Sequence, residues 1–233
     1  MDALTDQQLV AEFATKRSDS VFAELVRRHI DFVYSAAMRM VRDPHRAQDV
    51  TQAVFVALAQ NAHRLAHHPM LPGWLHRTTR NHAANMIRSE IRRQHREQEA
   101  VMNESLLSPS EAGWEEIAQH LDAGLDSMDD ADRTILLLRF FDEKSAREMA
   151  GQLGISEDAA RQRLSRAVDR LRDFFSRKKI AIGASGLVAL ISANAVQSAP
   201  AGLAPAILAT ATSGAMATVG VAMLPKVLLA AIA

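Results

Sequence analysis

Arg161, Gln162, Arg163, Ser165 and Arg166 lie almost side by side in the stretch LGISEDAARQRLSRAVDRLR. These residue types can read and hold nucleic acid. An arginine donates two hydrogen bonds to a guanine edge and a glutamine pairs with adenine, while further guanidiniums neutralise phosphates. Arg170 and Arg172 extend the basic set as backbone candidates. The competing use of such side chains is a solvated helix surface, so the elements that carry them must decide.

Ala160, Leu164, Ala167 or Val168, and Leu171 recur at helical steps, which predicts a buried stripe along one helix. Arg161, Gln162, Ser165 and Arg166 then face outward, with Arg163 at the flank. Ser156 is a good N-cap, and Glu157 and Asp158 after it suit the helix dipole. Upstream, Met149, Ala150 and Leu153 predict a short helix ended by Gly154. A short helix, a glycine turn and a helix exposing Arg and Gln near its start is the layout of a DNA-reading helix-turn-helix.

A second basic element lies in WLHRTTRNHAANMIRSEIRRQHRE, where Leu75, Thr79, Ala83, Met86 or Ile87, and Ile91 share one face. His76, Arg77, Arg80, Asn81 and Arg88 suit a DNA backbone and exposed bases. The formal net charge of zero conceals this patterning. Residues 76–98 carry six arginines against two glutamates; residues 99–132 carry ten acids and no Lys or Arg. Residues 133–179 hold twelve basic against seven acidic side chains, and residues 180–233 hold Lys226 alone.

No segment alternates with period two, so the first 179 residues are expected to be all-α. SVFAELVRRHIDFVYSAAMRMV and AQDVTQAVFVALAQNAHRL predict amphipathic helices separated at Pro44. An acidic linker holding one short helix follows the arginine-rich helix, and a second small core begins with Ile135, Leu136, Leu137 and Leu138. The chain has no cysteine, and MDALTDQQLVAEFATKRSDS lacks the layout of a secretory signal, which together predict a cytoplasmic protein. No phosphate-cradling glycine loop or nucleophile elbow is present, so neither an enzyme nor a cofactor is expected. His63, His67 and His68 cluster without an acid or cysteine at ligand spacing, so no metal site is expected either.

Taken in order, three motifs resemble the extracytoplasmic-function type of sigma factor, the small promoter-recognition subunit of bacterial RNA polymerase. DPHRAQDVTQAVFVALAQN is similar to its region 2 signature, PGWLHRTTRNHAANMIRSEIRR to the helix that follows, and LLLRFFDEKSAREMAGQLGISEDAARQRLSRAVDRLR to region 4. The resemblance spans residues 5–177 and implies two small helical domains. Residues 1–98 would be a region 2 bundle, 99–120 an acidic linker, 121–179 a region 4 helix-turn-helix, and 180–233 an apolar, alanine-rich extension.

The family's roles then follow as expectations. Asp49, Gln52 and Phe55 would meet core RNA polymerase, although burial preferences leave Phe55 open to being ordinary core. His67, His68 and Met70 lie where a flipped-out minus-10 base would be held, and His76, Arg77, Arg80, Asn81, Asn85 and Arg88 would hold the same promoter element. Asn85 replaces the family's common aspartate, and Trp74 is expected to be a packing anchor. Arg161, Gln162, Arg163, Ser165, Arg166 and Arg170 would meet minus-35 DNA. The acidic linker would thread the polymerase's basic RNA channel, or serve only as a solvated tether. Promoter DNA and core polymerase are the expected partners, with an anti-sigma factor as a further candidate. A free-standing helix-turn-helix regulator is the alternative function.

Residues 180–233 are broken by Pro200, Pro205 and Pro225, and Leu203–Leu224 is long enough without charge to cross a bilayer. Its Ala, Thr, Ser and Gly content weakens insertion. Two readings stand: the tail docks on a membrane or on the two helical domains and regulates them, or it is an apolar helical pair that packs on those domains or stays disordered.

Overall fold

Caps and prolines cut the N-terminal part into four helices: α1 (Asp6–Lys16), α2 (Asp19–Val41), α3 (Pro44–Leu65) and α4 (Leu71–Glu97). The structure is a computed structural model that describes residues 4–66, 70–97 and 112–212. Thr5 and Gln8 form a reciprocal capping box at the start of α1, a helix the apolar spacing did not single out. Arg42, in the left-handed region at φ 52°, ends α2; Asp43 then accepts from the Arg46 N–H at 2.8 Å and Pro44 opens α3. The third expected helix starts at Leu71 rather than Trp74, because Pro72 is tolerated in a first turn whose N–H groups have no helical partner. Phe22, Leu25, Val33, Phe55, Leu58 and Leu75 fill the centre of this bundle.

The second unit comprises α5 (Ala112–Asp126), α6 (Asp130–Phe140), α7 (Ala146–Leu153) and α8 (Glu157–Arg177). Helix α5 takes up the end of the segment expected as linker, from Ala112 onward. Its acids mask an amphipathic repeat, Ile117, Leu121 and Leu125, which is fully buried. Gly124 on α5 permits a close approach to α8: a Cβ there would lie 2.7 Å from Leu171 Cδ1. Ser145 and Glu148 cap α7, Gly154 ends it at φ 64°, and Ser156 caps α8. Every element among the described residues is helical, as expected.

The two units share one continuous apolar cluster. Helix α2 packs on α5 and α4 on α6, with Phe32 edge-on to Phe141 at 5.3 Å. The tail joins the same core through α9 (Ala184–Asn194) and α10 (Leu203–Thr212). Helix α9 lies on α8; α10 lies on α2 and α3, burying Leu203 and Ile207.

Between α9 and α10 the chain runs along α2 as a strap. Arg39 Nη1 donates to the Ala195 carbonyl at 2.6 Å. Ser35 accepts from the Gln197 N–H at 2.8 Å, while its single proton has the Asp31 carbonyl at 2.6 Å as its nearer acceptor and the Gln197 carbonyl at 3.1 Å as its farther one. Asp31 accepts from the Ala199 N–H at 2.8 Å. Every fourth residue of the helix thus meets every second residue of the strap. The described part of the tail packs on the two helical domains. Among the described residues no helix is long and apolar enough to cross a membrane, and Leu203–Leu224 runs on beyond them.

Candidate nucleic-acid interface

The outward face of α8 is built by its inward one. Ala160, Ala167, Val168, Leu171 and Phe175 are buried against α6 and α7, which turns Arg161, Gln162, Ser165 and Arg166 to solvent. Arg163 is half-buried at the flank. Ser156 accepts from the Ala159 N–H at 3.2 Å, so the helix begins one turn before its first exposed arginine. Arg161 is steadied by Glu157 and, at 3.5 Å, by Asp158, pairs with 62% of its side chain still exposed. Arg170 differs from the others. Asp129 at 3.0 Å and Asp132 both hold it, bracing α8 to the start of α6.

Helix α4 presents the second basic face, and the opposing surface is acidic. Arg77 donates to Asp130 at 2.7 Å, and Arg80 pairs with Asp126. Arg88 donates to Asn85 at 2.6 Å. Asn81 is half-buried, and Trp74 is partly buried against the core as a packing anchor. His67 and His68 lie outside the described residues, whereas Met70 is partly buried at the start of α4.

His76 is not placed as expected. It is 1% exposed, and its Nε2 meets Asp122 Oδ1 at 3.0 Å, so in this arrangement it has no surface to offer DNA. Asp122 also takes both Nε and Nη2 of Arg39, at 2.8 and 3.0 Å. Burial alone would raise the Asp122 carboxyl, but the Arg39 guanidinium and the His76 hydrogen bond hold it well below the usual carboxylate range. The acidic tract is therefore largely self-paired here. Asp122, Asp126, Asp129, Asp130 and Asp132 each meet an arginine of this chain. Glu99, Glu104 and Glu111 lie outside the described residues.

On α3, Asp49 is exposed and Gln52 is half-buried, its Nε2 donating to Thr210 Oγ1 of α10 at 2.7 Å. Phe55 is fully buried in the bundle core, which gives it a packing role in this structure rather than a contact surface. Sequence reasoning missed Arg39. Its only local signal was a charge at the end of an apolar helix, and its partner lies 83 residues away.

Comparison with known proteins follows the same division. Sigma-70 region 2 matches residues 25–93, and sigma-70 region 4 matches residues 124–173. The chain is 32% identical over 162 residues to the ECF RNA polymerase sigma factor SigE of Mycolicibacterium smegmatis, covering 66% of this chain and 61% of that protein. It is 30% identical over 158 residues to the RNA polymerase sigma-E factor of Streptomyces avermitilis, covering 65% of this chain and 83% of that protein. Among solved structures, CnrH in complex with the cytosolic domain of CnrY matches at 21% identity and a TM-score of 0.37, covering 74% of this chain and 97% of that one.

Proposed function

We propose that this chain, which belongs to the extracytoplasmic-function group of the sigma-70 family of RNA polymerase sigma factors, divides promoter recognition between its two helical units. As a sigma factor it directs promoter-specific transcription initiation by RNA polymerase. Residues 1–98 bind core polymerase through the α3 face of Asp49 and Gln52, and the minus-10 element through Arg77, Arg80, Asn81 and Arg88. The second unit, α5 to α8, reads the minus-35 element in the major groove through Arg161, Gln162, Ser165 and Arg166, with Arg163 on the backbone.

The observation that carries this assignment is the exposed Arg161, Gln162, Ser165 and Arg166 row on the second helix of a helix-turn-helix. Arg77 and Arg80 take up DNA only when the acidic surface of α5 and α6 moves away, so promoter binding requires the two units to part. A free-standing regulator would need neither the α3 face nor α4. An anti-sigma factor is a further partner of this reading, and the cytoplasm is its setting.

Run-off transcription with core polymerase on a promoter library tests the assignment. New start sites that are lost in Asp49→Ala with Gln52→Ala support it. Operator binding without polymerase association would overturn it.

A further inference from the structure

We propose that the chain carries its own inhibitor: the strap and α10, residues 195–212, occupy the face of α2 and α3 through which region 2 meets polymerase. The proposal rests on the polymerase-binding role given to that face above.

The clearest contact is the one between Gln52 and Thr210, 2.7 Å apart. Gln52 lies in the α3 signature, and here its amide is spent on the tail. Leu203 and Ile207 of α10, 5% and 0% exposed, are buried against α2 and α3, so the helix is seated rather than merely adjacent. The strap before it is fixed by named polar groups: Asp31, Ser35 and Arg39 satisfy backbone groups of Ala199, Gln197 and Ala195. A segment that only covered apolar surface would need no such matching. These bonds specify direction and register.

Arg39 links the strap to the contact between the two units. The same guanidinium that holds the Ala195 carbonyl grips Asp122 of α5 and lies over the Phe141 ring, 5.3 Å from its centroid. Both sequestered surfaces, the α3 face and the arginines of α4, are therefore tied to one side chain. Polymerase competing for α3 displaces α10 first; loss of the strap then leaves Arg39 with fewer partners across the two units. A tail closed ~90–99% of the time weakens apparent affinity for polymerase ~10–100-fold, because only the open fraction binds.

The test compares polymerase binding by the full chain with that of Leu203→Asp/Ile207→Asp, which unseats α10 without touching the α3 face. Tighter binding by the variant, ~10-fold or more, is expected. Equal binding by both overturns the inhibitor and leaves the sigma assignment standing; absence of binding by both overturns the two together. Hydrogen exchange on the unaltered chain gives a second reading that does not depend on how the variant folds. Amides of 195–212 are expected to lose protection when polymerase binds. Retained protection in the complex overturns the proposal.

Discussion

Arg39 and Asp122 face one another as a two-point pair, Nε to Oδ2 at 2.8 Å and Nη2 to Oδ1 at 3.0 Å, buried where α2 meets α5. Removing one partner leaves the other charged and buried, which costs about 3–5 kcal/mol. Asp122→Ala is therefore expected to separate the two units or to lower the denaturation midpoint sharply. Arg39→Met with Asp122→Leu is expected to recover only part of that loss, since apolar replacement of a buried pair is often neutral but here also strips the buried His76 Nε2 and the Ala195 carbonyl of a partner. Chemical denaturation of the two variants checks both statements.

The same carboxylate sets a pH dependence. Its folded value is depressed, so its contribution is present above the unfolded value, about 3.9, and is lost as pH falls through the folded one. Asp142 works in the opposite sense. Burial raises its carboxyl, so it opposes folding at neutral pH and stops doing so as it protonates. The stability gap between the unaltered chain and Asp122→Asn is expected to be constant above about pH 5 and to shrink below about pH 4. Denaturant titrations across that range measure it.

On α8, base reading and phosphate holding separate by mutation. Arg161→Ala or Gln162→Ala is expected to cost about 1–3 kcal/mol on the preferred minus-35 sequence and to relax selection at one base pair. Arg163→Ala is expected to weaken all sequences alike and to lower the salt slope by about one. Holoenzyme binding to a promoter panel at several salt concentrations distinguishes them.

Ser156 holds the start of the reading helix through one hydrogen bond to the Ala159 N–H. Ser156→Ala is expected to cost about 1 kcal/mol of stability and Ser156→Asp very little. Thermal unfolding of both variants decides it.

What was legible in the chain was whatever local periodicity carries. The buried stripe from Ala160 to Leu171 and the cap at Ser156 predicted the outward face of α8, because both are properties of one helix. Helix α5 was legible only in part, since Glu115, Glu116 and Asp122 make an apolar repeat read as a polar tract. The fate of the acids was not legible at all. Arg39 to Asp122 and Arg77 to Asp130 join residues 83 and 53 positions apart, and spacing along a chain carries no sign of such partners. Composition marked the tail as apolar without naming the surface it would cover.

The strap works as a vernier laid against α2. Its bonding groups repeat every two residues and the helix answers every four, through acceptors at Asp31 and Ser35 and a donor at Arg39. Inserting a single residue between Ala195 and Ala199 would shift the following backbone groups off those side chains. Helix α10 would then arrive with Leu203 and Ile207 turned from the bundle. Length in this short segment is therefore under tighter constraint than composition.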